Sequence, residues 1–207
     1  LKFQGTWDID TFKFNTALPD YMFTPDKLEY KRDANMLKGG LVYADYITTV
    51  SETYADEIKY PFFGEGLDGL LRARKMSLRG ILNGIDYSYY NPSEDSCIAK
   101  NYTWRSWTRK IENKAALQSE LGLPEKDVPM MAVISRLAAH KGLDLVRECI
   151  GRVLSSSDVQ FVLLGTGEKE FEEFFAWLQS AYPDKCRALL TYDRDLSKRI
   201  YAASDIF

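Results

Sequence analysis

Arg136 and Lys141 are the residues of this chain best placed to do chemistry. Arg136 stands at the end of the continuous apolar run Met130–Ile134, and Lys141 precedes Gly142, where an apolar helical spacing of Leu143, Val146, Ile150 and Val153 begins. A second apolar run over 159–164 ends in Gly165-Thr166-Gly167. Strand, basic turn, helix, strand and glycine turn make a βαβ unit whose cations sit where its helix starts. A helix start already favours anions through its free N–H groups and dipole. An arginine adds a planar fork and a lysine a point charge. The pattern therefore predicts a phosphate or diphosphate site. Two solvated cations after a strand would give the same pattern, and the residues alone weigh the two readings equally.

The elements that must position these groups follow in the same register. Strands are expected at 130–135, 159–164 and 187–191, with a further strand beginning at Ile206; helices are expected at 141–154, 168–180 and 195–203. The second helix carries Phe171, Phe174, Phe175 and Leu178 at i, i+3, i+4 and i+7, one apolar face. This alternation predicts a parallel, doubly wound sheet over 130–207. Upstream, residues 1–30 are aromatic without a period and read as irregular loop with short helical turns. Helices are expected at 34–43, 52–60, 67–75 and 114–121, and strands at 46–50 and 78–82. The paired Gly39-Gly40 suggests close backbone packing, Ser51 a helix cap, and Pro61 a helix stop. Residues 83–96 are polar and turn-rich, so the chain reads as two domains joined there. Trp104 and Trp107 are expected to pack beneath this connection.

Composition bounds the function. The 207 residues carry a net charge of -3, are 45% hydrophobic and 28% charged, and have no long apolar run, which argues against nucleic-acid binding and membrane insertion. Three dispersed cysteines and a single histidine exclude a zinc ribbon and a multi-histidine metal centre. His140 reads as a surface residue at the helix start. The first residues are not a signal peptide, and the lack of an initiator Met and of a completed last strand suggests a fragment.

Several segments together resemble bacterial glycogen synthase and plastid starch synthase. They are Asn35-Met36-Leu37-Lys38-Gly39-Gly40-Leu41-Val42-Tyr43-Ala44-Asp45, Gly80-Ile81-Leu82-Asn83-Gly84-Ile85-Asp86, Asn113-Lys114-Ala115-Ala116-Leu117-Gln118, Ser135-Arg136-Leu137 with Lys141-Gly142-Leu143-Asp144, Leu164-Gly165-Thr166-Gly167 and Arg199-Ile200-Tyr201-Ala202-Ala203-Ser204-Asp205. The resemblance covers essentially the whole chain. It implies a retaining glucosyltransferase of the two-Rossmann-domain (GT-B) architecture, an α/β fold of which this chain is an internal fragment. Residues 1–84 would be the end of the acceptor-side domain, 85–96 the interdomain linker, and 97–207 the first part of the nucleotide-sugar domain. The implied reaction moves glucose from ADP-glucose to the non-reducing end of an α-1,4-glucan, in the bacterial cytoplasm or a plastid stroma, without metal or other cofactor.

The resemblance also assigns residues. Arg136 and Lys141 match the diphosphate-binding cations, Asn83 a donor-sugar contact, and Tyr192 an aromatic ring stacked on adenine. Thr191 stands where the family usually has Gly, and Gly165, Thr166 and Gly167 would line the nucleotide cleft. The family's active-site His and the Glu-bearing segment match nothing in this chain, so the 207 residues alone are expected to be inactive. A nucleotide- or glucan-binding module that has kept the fold, and a transferase of the same architecture with another acceptor, are the alternatives.

Overall fold

The computed structural model describes all 207 residues, which fold as two compact units, Leu1–Ile85 and Asp86–Phe207. In the second unit the apolar runs are strands, β6 (Met130–Ile134), β7 (Gln160–Leu164) and β8 (Cys186–Leu189). They pair in parallel in the order β6-β7-β8, and Ile206 bridges in parallel to Met131 on the other side of β6. The spatial order is therefore third, second, first, last, the arrangement of a doubly wound sheet.

Alternation along the strands divides the core into two layers. Met130, Ala132, Val162 and Leu164 pack against Leu117 of α6 (Lys110–Glu120) and Leu196 and Ile200 of α9 (Arg194–Ala203). Phe161 and Leu163 face the opposite layer, with Ile150 and Leu154 of α7 (Leu143–Ser156) and Phe171, Phe175 and Leu178 of α8 (Lys169–Ala181). The expected aromatic face of α8 is present, with Phe174 half-buried at its margin.

Polar side chains on the inner face of α6 are structural. Asn113 exchanges hydrogen bonds with the backbone of Lys100. Lys114 donates to the Val128 carbonyl and pairs with Asp205 at 2.7 Å, and Gln118 donates to Gln160 and the Lys126 carbonyl. These buried polar groups are all satisfied, and they tie α6 to the amino-terminal side of the parallel sheet and to the loop at Lys100.

The first unit is built differently. Its parallel sheet has only β4 (Ile47–Thr49) and β5 (Leu78–Gly80), connected through α3 (Glu52–Glu57), α4 (Pro61–Gly64) and α5 (Asp68–Ala73). Residues 1–35 are more regular than their sequence suggests. β1 (Thr6–Trp7), β2 (Glu29–Tyr30) and β3 (Asp33–Asn35) form a small antiparallel sheet with α1 (Ile9–Thr16) against it. The helix expected from residue 34 starts at Met36, because Asn35 belongs to β3 and its side chain caps α2 (Met36–Tyr43). Gly39 packs as anticipated, since a Cβ there would stand 3.0 Å from Leu28, but Gly40 faces open space. Pro61 opens a short helix of its own rather than only ending the preceding one.

One further expectation fails. Trp104 and Trp107 are exposed rather than packed. The division between the two units falls after Ile85, within the stretch read as their connection, and residues 86–96 group with the second unit. No helix is long and apolar enough to cross a membrane.

Candidate functional site

The carboxyl ends of β6, β7 and β8 open into one cleft of about 850 Å³. Each strand delivers residues to it through the turn that follows: Ser135 and Arg136 after β6, Gly165 and Thr166 after β7, Thr191 to Arg194 after β8. Asp86, Tyr89 and Tyr90 form another part of the wall, with Ser197 and Tyr201 of α9. This is the crevice beside the strand-order reversal, where doubly wound sheets take their ligands.

The second unit thus gathers Arg136, Gly165, Thr166, Thr191 and Tyr192. Lys141 and Gly167 sit on the same β–α turns without lining the cleft. Asn83 belongs to the first unit, where it is exposed.

The local geometry explains the gathering. Ala139–Lys141 form a tight 3-10 turn, and Gly142 adopts φ 72°, a left-handed conformation that costs glycine little, before α7 begins. The cations therefore precede the helix by one turn rather than standing on it. No side chain caps the start of α7. Arg136 and Lys141 are exposed and neither has a carboxylate partner. The nearest polar side-chain neighbour of the Arg136 guanidinium is His140 Nε2 at 3.5 Å, and His140 is exposed as expected. Unpartnered cations beside an open helix start form an arrangement suited to an anion.

The glycine turn works by close approach, not by offering amides. The Gly165 amide donates to Leu189 and the Gly167 amide to the Glu172 carboxylate. A Cβ on Gly165 would stand 1.8 Å from the Ser135 carbonyl oxygen, and one on Gly167 2.0 Å from that of Leu137. These glycines let the β7 turn lie directly on the turn that carries Arg136.

Beyond Thr191 and Tyr192, sequence reasoning missed several residues of the cleft. Arg194 follows β8 much as Arg136 follows β6, and its Nε donates to the Tyr192 hydroxyl at 3.1 Å. That bond, with the nearby Tyr89 and Tyr90 hydroxyls, raises the guanidinium pKa further. A search for cations after every strand would have found it. Tyr89 and Tyr90 stack edge to face at 4.7 Å and were legible only as adjacent aromatics in a polar stretch. Asp95 and Lys198 pair at 3.2 Å with their side chains 8% and 11% exposed. Burial pushes the Asp95 carboxyl up, but the Cys97 amide and the Lys198 ammonium outweigh it and hold the carboxyl below its ordinary range. Burial likewise lowers Lys198, and Asp95 more than reverses that. No group of three or more His, Cys, Asp or Glu side chains is disposed to hold a metal ion.

A parallel, doubly wound sheet with an unpartnered arginine and tyrosines at its carboxyl-end crevice defines the second unit as a Rossmann-like α/β unit. The comparisons narrow this class. Residues 1–73 match the family model of the starch synthase catalytic domain. The whole chain is 54% identical to a glycogen synthase of Lachnospira eligens over 209 residues and 48% identical to one of Thermosipho africanus over 208, covering 44% and 42% of those proteins. The catalytic domain of starch synthase IV from Arabidopsis thaliana, solved bound to ADP and acarbose, matches 99% of the chain and 43% of its own length with a TM-score of 0.88 at 34% identity.

The chain is similar over its whole length to glycogen and starch synthases and has the GT-B type of fold of the starch synthase neighbour. It spans less than half the length of these relatives.

Proposed function

We propose that the protein containing this chain transfers glucose from ADP-glucose to the non-reducing end of an α-1,4-glucan, with retention of the anomeric configuration. The observation that carries the reading is the convergence of Arg136, Gly165, Thr166, Thr191 and Tyr192, from three separate β–α turns, on one cleft. Such a cleft fits a nucleoside diphosphate. Arg136 would hold the phosphates, joined by Lys141, whose flexible side chain starts five residues further on. Tyr192, 79% exposed, would offer its ring to adenine.

The chemistry needs this charge. Departure of the nucleoside diphosphate concentrates negative charge on the leaving oxygens. Fixed cations beside them stabilise the transition state more than the ground state. The reading requires no metal or cofactor, because the guanidinium and ammonium supply the charge. Asn83 would contact the donor sugar, residues 1–84 would belong to the acceptor side, and 97–207 to the nucleotide-sugar side. The setting would be the bacterial cytoplasm. The bound ADP and acarbose of the Arabidopsis starch synthase support both the donor and the glucan assignment.

Calorimetric titration with ADP tests the reading. Binding should weaken at least tenfold in Arg136→Ala and severalfold in Lys141→Ala. Unchanged binding in both variants would sink the assignment, and failure of the protein to bind ADP at all would favour a different ligand.

A further inference from the structure

Residues 86–97 are stapled to the second unit at several points, and each staple ends on α9 or beside the cleft. The Asp95–Lys198 pair is the centre. Asp95 also accepts the Cys97 amide at 2.8 Å, and the Cys97 thiol lies 3.4 Å from Asp195 on α9. Asp86 closes a turn by accepting the amides of Ser88 and Tyr89 and the Ser88 hydroxyl. Lys198 has a second contact: its ammonium lies 3.9 Å from the centroid of the Tyr89 ring, in cation–π geometry. One nearly buried lysine thus fixes the carboxylate at one end of the segment and the aromatic ring near the other.

We propose that Lys198 is a positioning residue that holds Tyr89 and Tyr90 as an aromatic wall for the nucleoside part of a nucleoside diphosphate. The inference rests on the nucleotide reading of the cleft. Three tyrosines, Tyr89, Tyr90 and Tyr192, lie near Arg194 in the cleft that Arg136 also lines. Planar rings suit the face of a base, whereas Arg136 suits phosphate. Lys198 does not line the cleft; it acts through Tyr89. A segment with few apolar contacts would otherwise be free to swing, and ordering it on binding would cost affinity.

Titration of ADP and of inorganic pyrophosphate into the protein and its variants tests this. Lys198→Met should weaken ADP about tenfold and leave pyrophosphate within twofold, and Lys198→Arg should recover most of the ADP affinity. Arg136→Ala should weaken both ligands. ADP affinity unchanged in Lys198→Met, or an equal loss for both ligands, overturns the proposal while leaving the nucleotide reading intact. A wild-type protein that binds neither ligand overturns that reading, and this inference with it. If Lys198→Met does not fold, Tyr89→Leu keeps the ion pair and should reproduce the selective ADP loss; its failure to do so is equally decisive.

Discussion

Both units contain the same local event and finish it in opposite ways. In each, a strand ends, the chain turns into a helix, and the next strand returns parallel to the first: β4 and β5 in the first unit, β6 and β7 in the second. In each, a glycine at the end of the returning strand lies against the turn that left the first one. A Cβ on Gly80 would stand 2.2 Å from the Ser51 carbonyl oxygen, and one on Gly165 1.8 Å from that of Ser135. The helix starts then diverge. Ser51 caps α3 by accepting the Tyr54 amide at 2.9 Å, so that start is closed by its own side chain. The start of α7 has no side-chain cap and is preceded by Arg136 and Lys141. The same turn is closed by its own cap in one unit and left open beside two cations in the other, and the difference lies in a few side chains.

The largest effects should come from the shared glycines. Gly80→Ala and Gly165→Ala each drive a methyl into backbone that cannot yield, and each should cost about 3 kcal/mol. Urea denaturation of the two variants measures this. Gly165→Ala should also lose ADP binding, whereas Gly80→Ala should keep it wherever the fold persists. Equal loss of binding in both would mean that the comparison does not separate structure from function.

Next comes Arg74, whose counterpart in the second unit is Arg187, which donates to the carbonyls of Leu121, Gly122, Pro183 and Cys186. The Arg74 guanidinium donates to the carbonyls of Leu41, Val42, Ala44 and Asp45, gathering the open end of α2. Arg74→Met leaves several of these acceptors unpaired and should destabilise the first unit by about 2 kcal/mol. Arg74→Lys should not restore it, because a point charge cannot reach four carbonyls. A thermal melt in which Lys rescues fully would show that charge, not the fork, is what matters.

Arg74 also shows why the two units were unequally legible. The second unit has bonds of the same kind at Lys114 and Arg187, but it also buries apolar side chains on a regular period, so Met130–Ile134 and the Phe171 face announced themselves. The first unit uses strands of two or three residues, fixed by long-range side-chain bonds to backbone such as those of Arg74 and of Lys38 to the Pro25 and Glu29 carbonyls. Such bonds leave no periodic trace, and residues 1–30 therefore read as loop. The cleft was legible in part for a similar reason. Arg136 and Gly165 follow strands and could be found by position. Tyr89 and Tyr90 stand beside contacts such as the Asp95–Lys198 pair, between residues about a hundred positions apart, which spacing does not encode.

The closed joint gives a smaller test. Ser51→Ala should cost about 1 kcal/mol, the ordinary value of an N-cap, with no effect on ADP affinity. The staple gives a pH test. The folded pKa of Asp95 is depressed, so its contribution is present above the unfolded value and lost as pH falls through the folded one. That of Lys198 is raised, so its contribution holds below the unfolded value and fades as pH rises through the folded one. The difference in melting temperature between wild type and Lys198→Met should be flat from about pH 5 to 9 and shrink below about pH 4. A difference that changes through neutral pH would point to some other group.

The smallest expected effect is the most discriminating. α9 begins in the cleft, and its start is capped by Asp193, which accepts the Leu196 amide at 2.9 Å. This helix start is therefore closed like that of α3, but by a charged group that lines a site proposed to hold an anion. The charge favours the helix dipole and opposes the ligand. Asp193→Asn keeps an acceptor for the Leu196 amide and removes only the charge. The fold should lose a few tenths of a kcal/mol, the usual size of a charge–dipole interaction at an exposed helix end. ADP should bind two- to threefold more tightly, and the gain should fade as salt screens the exposed charges. If affinity instead falls, the Asp193 carboxylate contacts the ligand directly, for example by accepting from a ribose hydroxyl. Asp193 would then be a ligand-binding group rather than only a cap.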